Sequence, residues 1–167
     1  MINFKGISER KNENGYSTLQ LTVLVILRLV VGYHFLYEGF DKLLNPNWTS
    51  AGFLSQANWM FSGFFQSLAN NQTVLFIVDS LNIWAQVIIG LLLILGLFSR
   101  GAAVFGALMI LLYYIAIPPF AQNYIFIDKN LLEFFALLVI ALFQTSDIIG
   151  LDRLIKKFRS FNLVPRK

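Results

Sequence analysis

Three ionisable side chains recur at helical spacing within one apolar stretch of the sequence. Glu38 lies four residues from both His34 and Lys42, so a helix would hold its carboxylate within reach of the imidazole and the ammonium group. Such groups could bind the polar head of an amphiphile, a quinone ring for example, or pass protons. They could equally form a structural network that ties helices together.

Two further apolar stretches would add polar groups to the same region. Asp79, Asn82 and Gln86 are separated by three and four residues and would share one helical face, while Asn130 and Glu133 open a later stretch. We therefore predict a small polar pocket in the outer half of a membrane bundle. Its candidate binding residues are Arg28, His34, Glu38, Lys42, Asp79, Asn82, Gln86, Asn130 and Glu133.

Arg28 needs a partner, because a buried guanidinium is stable only beside a carboxylate or several carbonyl groups. In sequence the best candidate is Gln86. An uncharged amide would leave the charge uncompensated, so a bound anion or lipid is the alternative.

The chain has no cysteine and one histidine. These counts exclude a covalent haem, an iron–sulfur cluster, a bis-histidine haem and a multi-histidine zinc site built by this chain alone. We predict no catalytic residue and no metal ligand. The cofactor is not fixed by the sequence, and a quinone is the one candidate.

The composition is that of an integral membrane protein, since 57% of the 167 residues are apolar and 13% are charged, against about 25% charged in soluble domains. The fold predicted is an all-α bundle of four transmembrane helices with an outer interfacial helix and a C-terminal amphipathic helix. The spans are placed at Leu19 to Leu44, Val74 to Phe98, Ala102 to Ile117 and around Leu131 to Ile149. The predicted domains are a cytoplasmic tail (1–17), the bundle (18–150) with an outer insert (45–72), and a basic helix (151–167).

Orientation follows from the lysines and arginines, which are enriched on the cytoplasmic side of membranes. With both termini inside, ten of them lie inside and two, Lys42 and Lys129, lie outside. Phe61, Phe64, Phe65 and Leu68 predict a helix in the outer interface. The C-terminal helix has an apolar face opposite a basic one, so we expect it to bind anionic lipids. The basic residues flank apolar segments, so nucleic acid is not an expected partner.

The chain resembles the DoxX family of small bacterial four-span membrane proteins, and its long outer insert, YYIAIPPF and KNLLEFF look like the variety found in Bacteroidetes. The resemblance rests on Arg28, Gly39 and Lys42 in RLVVGYHFLYEGFDKLL, supported by Gly90, Gly96 and Arg100 in QVIIGLLLILGLFSRGAA and by Asn130 and Leu131. It implies a bacterial inner-membrane protein that sits beside oxidoreductases in some relatives. Gln86 stands where relatives often carry an acidic residue, which weakens any proton-handling role there.

The leading hypothesis is a membrane subunit or binding module of a redox or envelope-stress system, holding a quinone or lipid headgroup. It would not be catalytic alone; as an enzyme it would be a quinone-linked oxidoreductase subunit with a protein partner. The alternatives are a small transporter or proton-conducting protein, and an assembly factor for membrane proteins.

Overall fold

A computed structural model describes residues 15–119, 126–143 and 145–162, with side chains described as far as 158. Their regular elements are seven α-helices and one 3-10 turn, which confirms the all-α prediction for this part of the chain. The helices are α1 (Thr18–Leu44), α2 (Ala51–Ser55), α3 (Ser62–Asn70), α4 (Gln72–Leu95), α5 (Ser99–Ala116), α6 (Lys129–Leu142) and α7 (Leu151–Asn162), with the 3-10 turn at Thr145–Asp147 between the last two.

Three of these helices, α1, α4 and α5, are long and apolar enough to cross a membrane. The predicted fourth span is different, because α6 has 14 residues and rises about 21 Å, less than the hydrocarbon thickness of about 30 Å. The predicted helix around Leu131 to Ile149 is therefore wrong beyond Leu142, where α6 ends. There the 3-10 turn of Thr145–Asp147 replaces the α-helix, as expected where short polar side chains compete for backbone hydrogen bonds.

Glycines bring α1 and α4 together as an antiparallel pair. A Cβ placed on Gly90 would lie 2.5 Å from the backbone nitrogen of Leu36 and 2.7 Å from the carbonyl oxygen of Gly32. A Cβ on Gly39 would lie 2.9 Å from the backbone nitrogen of Val87. These glycines therefore allow the backbones to approach more closely than any side chain would permit.

The core of the bundle is apolar between its two ends. Phe35 of α1, Leu93 of α4 and Leu137 of α6 are almost completely buried, and α5 presents small residues such as Ala103 and Gly106 to them. Small residues on α5 let it pack closely against α6. The result is a sealed apolar layer across the middle of the bundle.

The segment between α1 and α4 folds over one end of the bundle, which we call the insert end. Leu54, Ala57 and Phe65 form a small core with Ala116 at the end of α5. The sequence pattern from Phe61 to Leu68 falls largely within α3, but a position in the membrane interface stays a prediction.

The opposite end, which we call the α7 end, is held by the turn between α4 and α5. The Asp152 N–H donates to the Gly96 carbonyl oxygen at 3.0 Å, and the Phe98 N–H donates to the Asp152 carboxylate at 2.9 Å. Beyond this attachment Leu151, Leu154, Ile155 and Phe158 form an exposed apolar stripe on α7. The side chains of Arg159 and Phe161, later on this helix, lie outside those that the structure describes.

Candidate functional site

Lys42 connects α1 to α4 and α5 near the insert end. Its Nζ donates to Gln86 Oε1 at 2.6 Å and to Asn82 Oδ1 at 3.5 Å. Asn82 Nδ2 in turn donates to the Tyr113 hydroxyl at 2.5 Å. The antiparallel pairing of α1 and α4 sets this register, because residues near 42 on α1 face residues near 86 on α4.

His34 connects α1 to α6. Its Nδ1 lies 2.6 Å from Glu133 Oε1, the distance of a strong hydrogen bond to a carboxylate. Its Nε2 lies 3.8 Å from Glu38 Oε1, and Glu38 Oε2 lies 3.7 Å from Lys42 Nζ. A continuous polar network therefore runs from Glu133 to Tyr113 across all four long helices.

The network is closed towards the insert end and more open at its side. The Lys42 Nζ lies 5.4 Å from the centre of the Trp48 ring, and the Phe53 ring packs edge-on to Tyr113 at 5.5 Å. Lys42 and Glu133 side chains are 13% and 12% exposed, whereas Glu38 is 39% and His34 is 45% exposed. Access is therefore lateral, where α1 and α6 meet.

Six of the nine predicted site residues belong to this network: His34, Glu38, Lys42, Asn82, Gln86 and Glu133. Asp79 does not, since it accepts from the Ser50 backbone N–H at 2.8 Å and from the Ser50 hydroxyl at 2.5 Å. Asn130 donates to Asp128, the residue that caps α6. Asp79 anchors the insert, and Asn130 supports a helix terminus.

Tyr113 was missing from the predicted site. The sequence feature that could have indicated Tyr113 is its position near the end of the third apolar stretch, because a tyrosine hydroxyl buried there needs a polar neighbour. Its partner Asn82 lies on another helix, and a single sequence does not give the register between helices.

Arg28 lies far from the network, so the expected pairing with Gln86 is wrong. Arg28 is 2% exposed, and its Nη1 donates to the Thr145 hydroxyl at 3.3 Å. Both Nη atoms lie 3.1 Å from a Cβ placed on Gly96, and among the described residues Nε has no partner. In the antiparallel pair Arg28 faces the end of α4, about 21 Å along α1 from Lys42.

Two of the cavities lined by described residues lie away from the polar network. One, of about 610 Å³, runs beside the first turns of α1 and is lined by Tyr16, Leu19, Val23 and Phe143 among others. The other, of about 360 Å³, lies between the start of α5 and α7. Within the described ranges no three His, Asp or Glu side chains are grouped to hold a metal ion.

Comparison with known protein families gives a match over more than half of the chain. The family model described as DoxX matches residues 23–118, which cover most of α1 and all of α2 to α5. No curated protein and no solved structure matches the chain.

Proposed function

Because this chain belongs to the DoxX family of membrane proteins, we propose that it is a membrane-embedded binding module whose polar network holds a quinone or lipid headgroup entering sideways from the bilayer. The observation that supports this proposal is that the polar network is exposed at His34 and Glu38. Ionisable groups facing hydrocarbon are expensive, so a polar group that covers them is stabilising.

The chemistry of the opening fits a ring that carries oxygen atoms. His34 uses Nδ1 for Glu133, while Nε2 is 3.8 Å from Glu38, too far for a hydrogen bond. Nε2 therefore retains its capacity for one partner, and a ligand bonded there would also contact the Glu38 carboxylate. While Nδ1 donates to the Glu133 carboxylate, Nε2 of the neutral ring is an acceptor, so a quinol hydroxyl can donate to Nε2 or to the Glu38 carboxylate. A quinone carbonyl can accept from Nε2–H when the imidazole carries a second proton.

A bound quinone would supply two-electron redox chemistry, with the electrons coming from a protein partner. In this proposal the chain binds and orients the ring, and Trp48 and Phe53 exclude water from the insert side. No catalytic residue is assigned to the chain itself.

Transport is less well supported than binding. Between His34 and Arg28 the interior is filled by Val31, Phe35 and Leu93, all buried. Among the described residues no polar side chain bridges this layer, so a proton path would require a large rearrangement. A role in the assembly of other membrane proteins is supported by exposed apolar side chains of the insert, which are Met60, Phe61 and Phe64.

The proposed topology places both termini in the bacterial cytoplasm, the insert outside, and α6 as a short fourth span. It is supported by the bias of lysine and arginine towards the cytoplasmic side.

The proposed contact of α7 with anionic lipids is supported by its exposed apolar stripe. On the same helix Lys156 pairs with Asp147 at 2.5 Å, and Arg153 donates to the Ile148 carbonyl oxygen at 3.1 Å.

Quinone binding can be measured by quenching of tryptophan fluorescence, with a short-chain quinone added to the protein in nanodiscs. Glu38→Gln should weaken binding at least about tenfold, equivalent to about 1.4 kcal/mol. The fold should change little, since Glu38 forms only the two longer contacts. Asp41→Asn, an exposed carboxylate on the same helix, is the matched control.

Native mass spectrometry of gently extracted protein tests the same proposal without an added ligand. A co-purifying quinone or lipid in wild-type protein that is lost from Glu38→Gln supports it. No quenching and no bound amphiphile in folded wild-type protein would refute the binding role.

A further inference from the structure

The two nitrogens of the His34 ring have different surroundings. Nδ1 lies 2.6 Å from Oε1 of Glu133, whose side chain is 12% exposed. Among the described residues Nε2 has no partner within hydrogen-bond distance, and the His34 side chain is 45% exposed at the side of the bundle. One nitrogen is therefore committed to the protein, and the other faces whatever enters from the bilayer.

The Glu133 carboxylate determines which nitrogen carries the proton in the neutral ring. An ionised carboxylate only accepts hydrogen bonds, so Nδ1 must donate to it. The hydrogen bond that one ring nitrogen makes sets the tautomer of a histidine, and here it leaves Nε2 without a hydrogen. The neutral ring therefore presents an acceptor at the opening, and the doubly protonated ring presents a donor at the same atom.

Glu38 adds a second acceptor beside Nε2. Its Oε1 lies 3.8 Å from Nε2, and its side chain is 39% exposed. With a neutral ring the opening consists of two acceptors, which suits a ligand that donates a hydrogen bond. A quinol hydroxyl donates a hydrogen bond, whereas a quinone carbonyl can only accept one.

The charges around the ring leave room for a second proton. Glu38, Glu133 and Lys42 carry one net negative charge beside a neutral ring and are balanced beside a doubly protonated one. The second proton therefore completes a charge balance and does not create an isolated buried charge. Among the described residues, α4 faces this set with neutral amides, and further titratable groups act on it from the other helices. The amides are those of Asn82 and Gln86, and the titratable groups are Asp41, Tyr113 and Lys129.

We propose that His34 selects the redox form of the bound ring, taking a quinol when its imidazole is neutral and a quinone when its imidazole is doubly protonated. The inference rests on the binding function proposed above. When a quinol replaces a quinone, the proton on Nε2 is released to water and Nε2 accepts a hydrogen bond from the quinol hydroxyl. Because the exchange is linked to one proton, the preference for quinol rises with pH.

Potentiometric titration of a short-chain quinone measures this selection. The protein is placed in nanodiscs of phosphatidylcholine, whose headgroup has no hydrogen-bond donor to compete, and is compared with empty nanodiscs at pH 5 and pH 9. The midpoint potential of the bound quinone minus that of the free quinone reports the ratio of the two dissociation constants, with about 30 mV for each tenfold change of a two-electron couple. This difference should be at least about 30 mV more positive at pH 9 than at pH 5, a tenfold shift of the ratio towards quinol.

Three variants assign the effect to His34. His34→Gln keeps a donor and an acceptor but does not titrate, so its potential difference should be equal at the two pH values. Glu133→Gln should lower the preference for quinol at pH 9 at least threefold, because an amide can accept from Nδ1 or donate to it and so permits either tautomer. Asp41→Asn changes an exposed carboxylate on the same helix and should keep the wild-type pH dependence.

The outcomes separate this inference from the binding role on which it rests. If folded wild-type protein binds neither form at either pH, the binding role itself is refuted. If it binds both forms with a ratio that does not change with pH, or if His34→Gln keeps the wild-type pH dependence, only the selection by His34 is overturned. Should His34→Gln bind neither form, an unchanged preference for quinol in Glu133→Gln overturns the selection instead.

Discussion

Replacing Gly90 by alanine should destabilise the bundle, although alanine is the better helix former. The added methyl group would lie 2.5 Å from the backbone nitrogen of Leu36, so α1 and α4 must separate by about 1 Å to reach an ordinary contact. Alanine gains about 1 kcal/mol of helix propensity, while overpacking costs about 1–3 kcal/mol. Because the neighbour is backbone, we expect the upper part of that range and a net loss of about 1–2 kcal/mol in the free energy of unfolding.

Gly101→Ala is the matched control, since a Cβ at Gly101 of α5 has nothing within 4 Å. It should leave the free energy of unfolding unchanged or raise it by less than about 1 kcal/mol. The difference is measured by unfolding both variants in mixed micelles and following the fluorescence of the three tryptophans. A Gly90→Ala protein as stable as wild type, with Gly101→Ala also unchanged, would refute the close approach of α1 and α4.

Three further predictions concern the insert, the topology and α7. Asp79→Ala and Ser50→Ala should each destabilise the insert by about 1–3 kcal/mol, and the double variant should be little less stable than either single variant because the two residues share one contact. The rate of limited proteolysis between residues 45 and 71 reports the stability of the insert. Fully additive losses of stability would argue against the pairing. Single cysteines at Ser8 and Ser160 should be protected from an impermeant thiol reagent in intact cells while Asn71→Cys is labelled, and the reverse pattern would overturn the orientation. Replacing Lys156, Lys157 and Arg159 with glutamine should weaken the contact of α7 with anionic vesicles by about 1 kcal/mol per charge. The full protein reports this as a loss of salt-dependent protection of α7 in anionic vesicles relative to neutral ones, and unchanged protection would contradict it.

The helices and their faces were accessible from the sequence, but the register between helices was not. A periodicity of about 100° per residue puts Arg28, Gly32 and Gly39 on one face of a helix, and these residues are buried in the structure. It also placed His34 beside Glu38. It could not show that Lys42 faces Gln86 while Arg28 faces Gly96, because that depends on how far α4 slides along α1.

The missed features have a common physical origin. Asp79 and Asn130 have the residue types of a membrane site, yet each serves a local purpose: Asp79 binds the backbone of the insert and Asn130 supports the cap of α6. Polar side chains at helix ends satisfy free backbone groups as readily as they bind ligands. The residue types do not distinguish a ligand site from a helix-end contact. The positions of the partners Ser50 and Asp128 show which of the two each side chain forms.

The pairing of Lys42 with Gln86 has a consequence for biosynthesis. When α1 first enters the membrane it carries an arginine, a histidine, a glutamate, an aspartate and a lysine, and its partner amides on α4 are not yet synthesised. The 51 residues from Asn45 to Leu95 must follow, which takes about 3–10 s at bacterial rates of about 5–20 residues per second. During that interval the insertion machinery must shield α1, so we expect α1 and α4 to enter the lipid together as a hairpin.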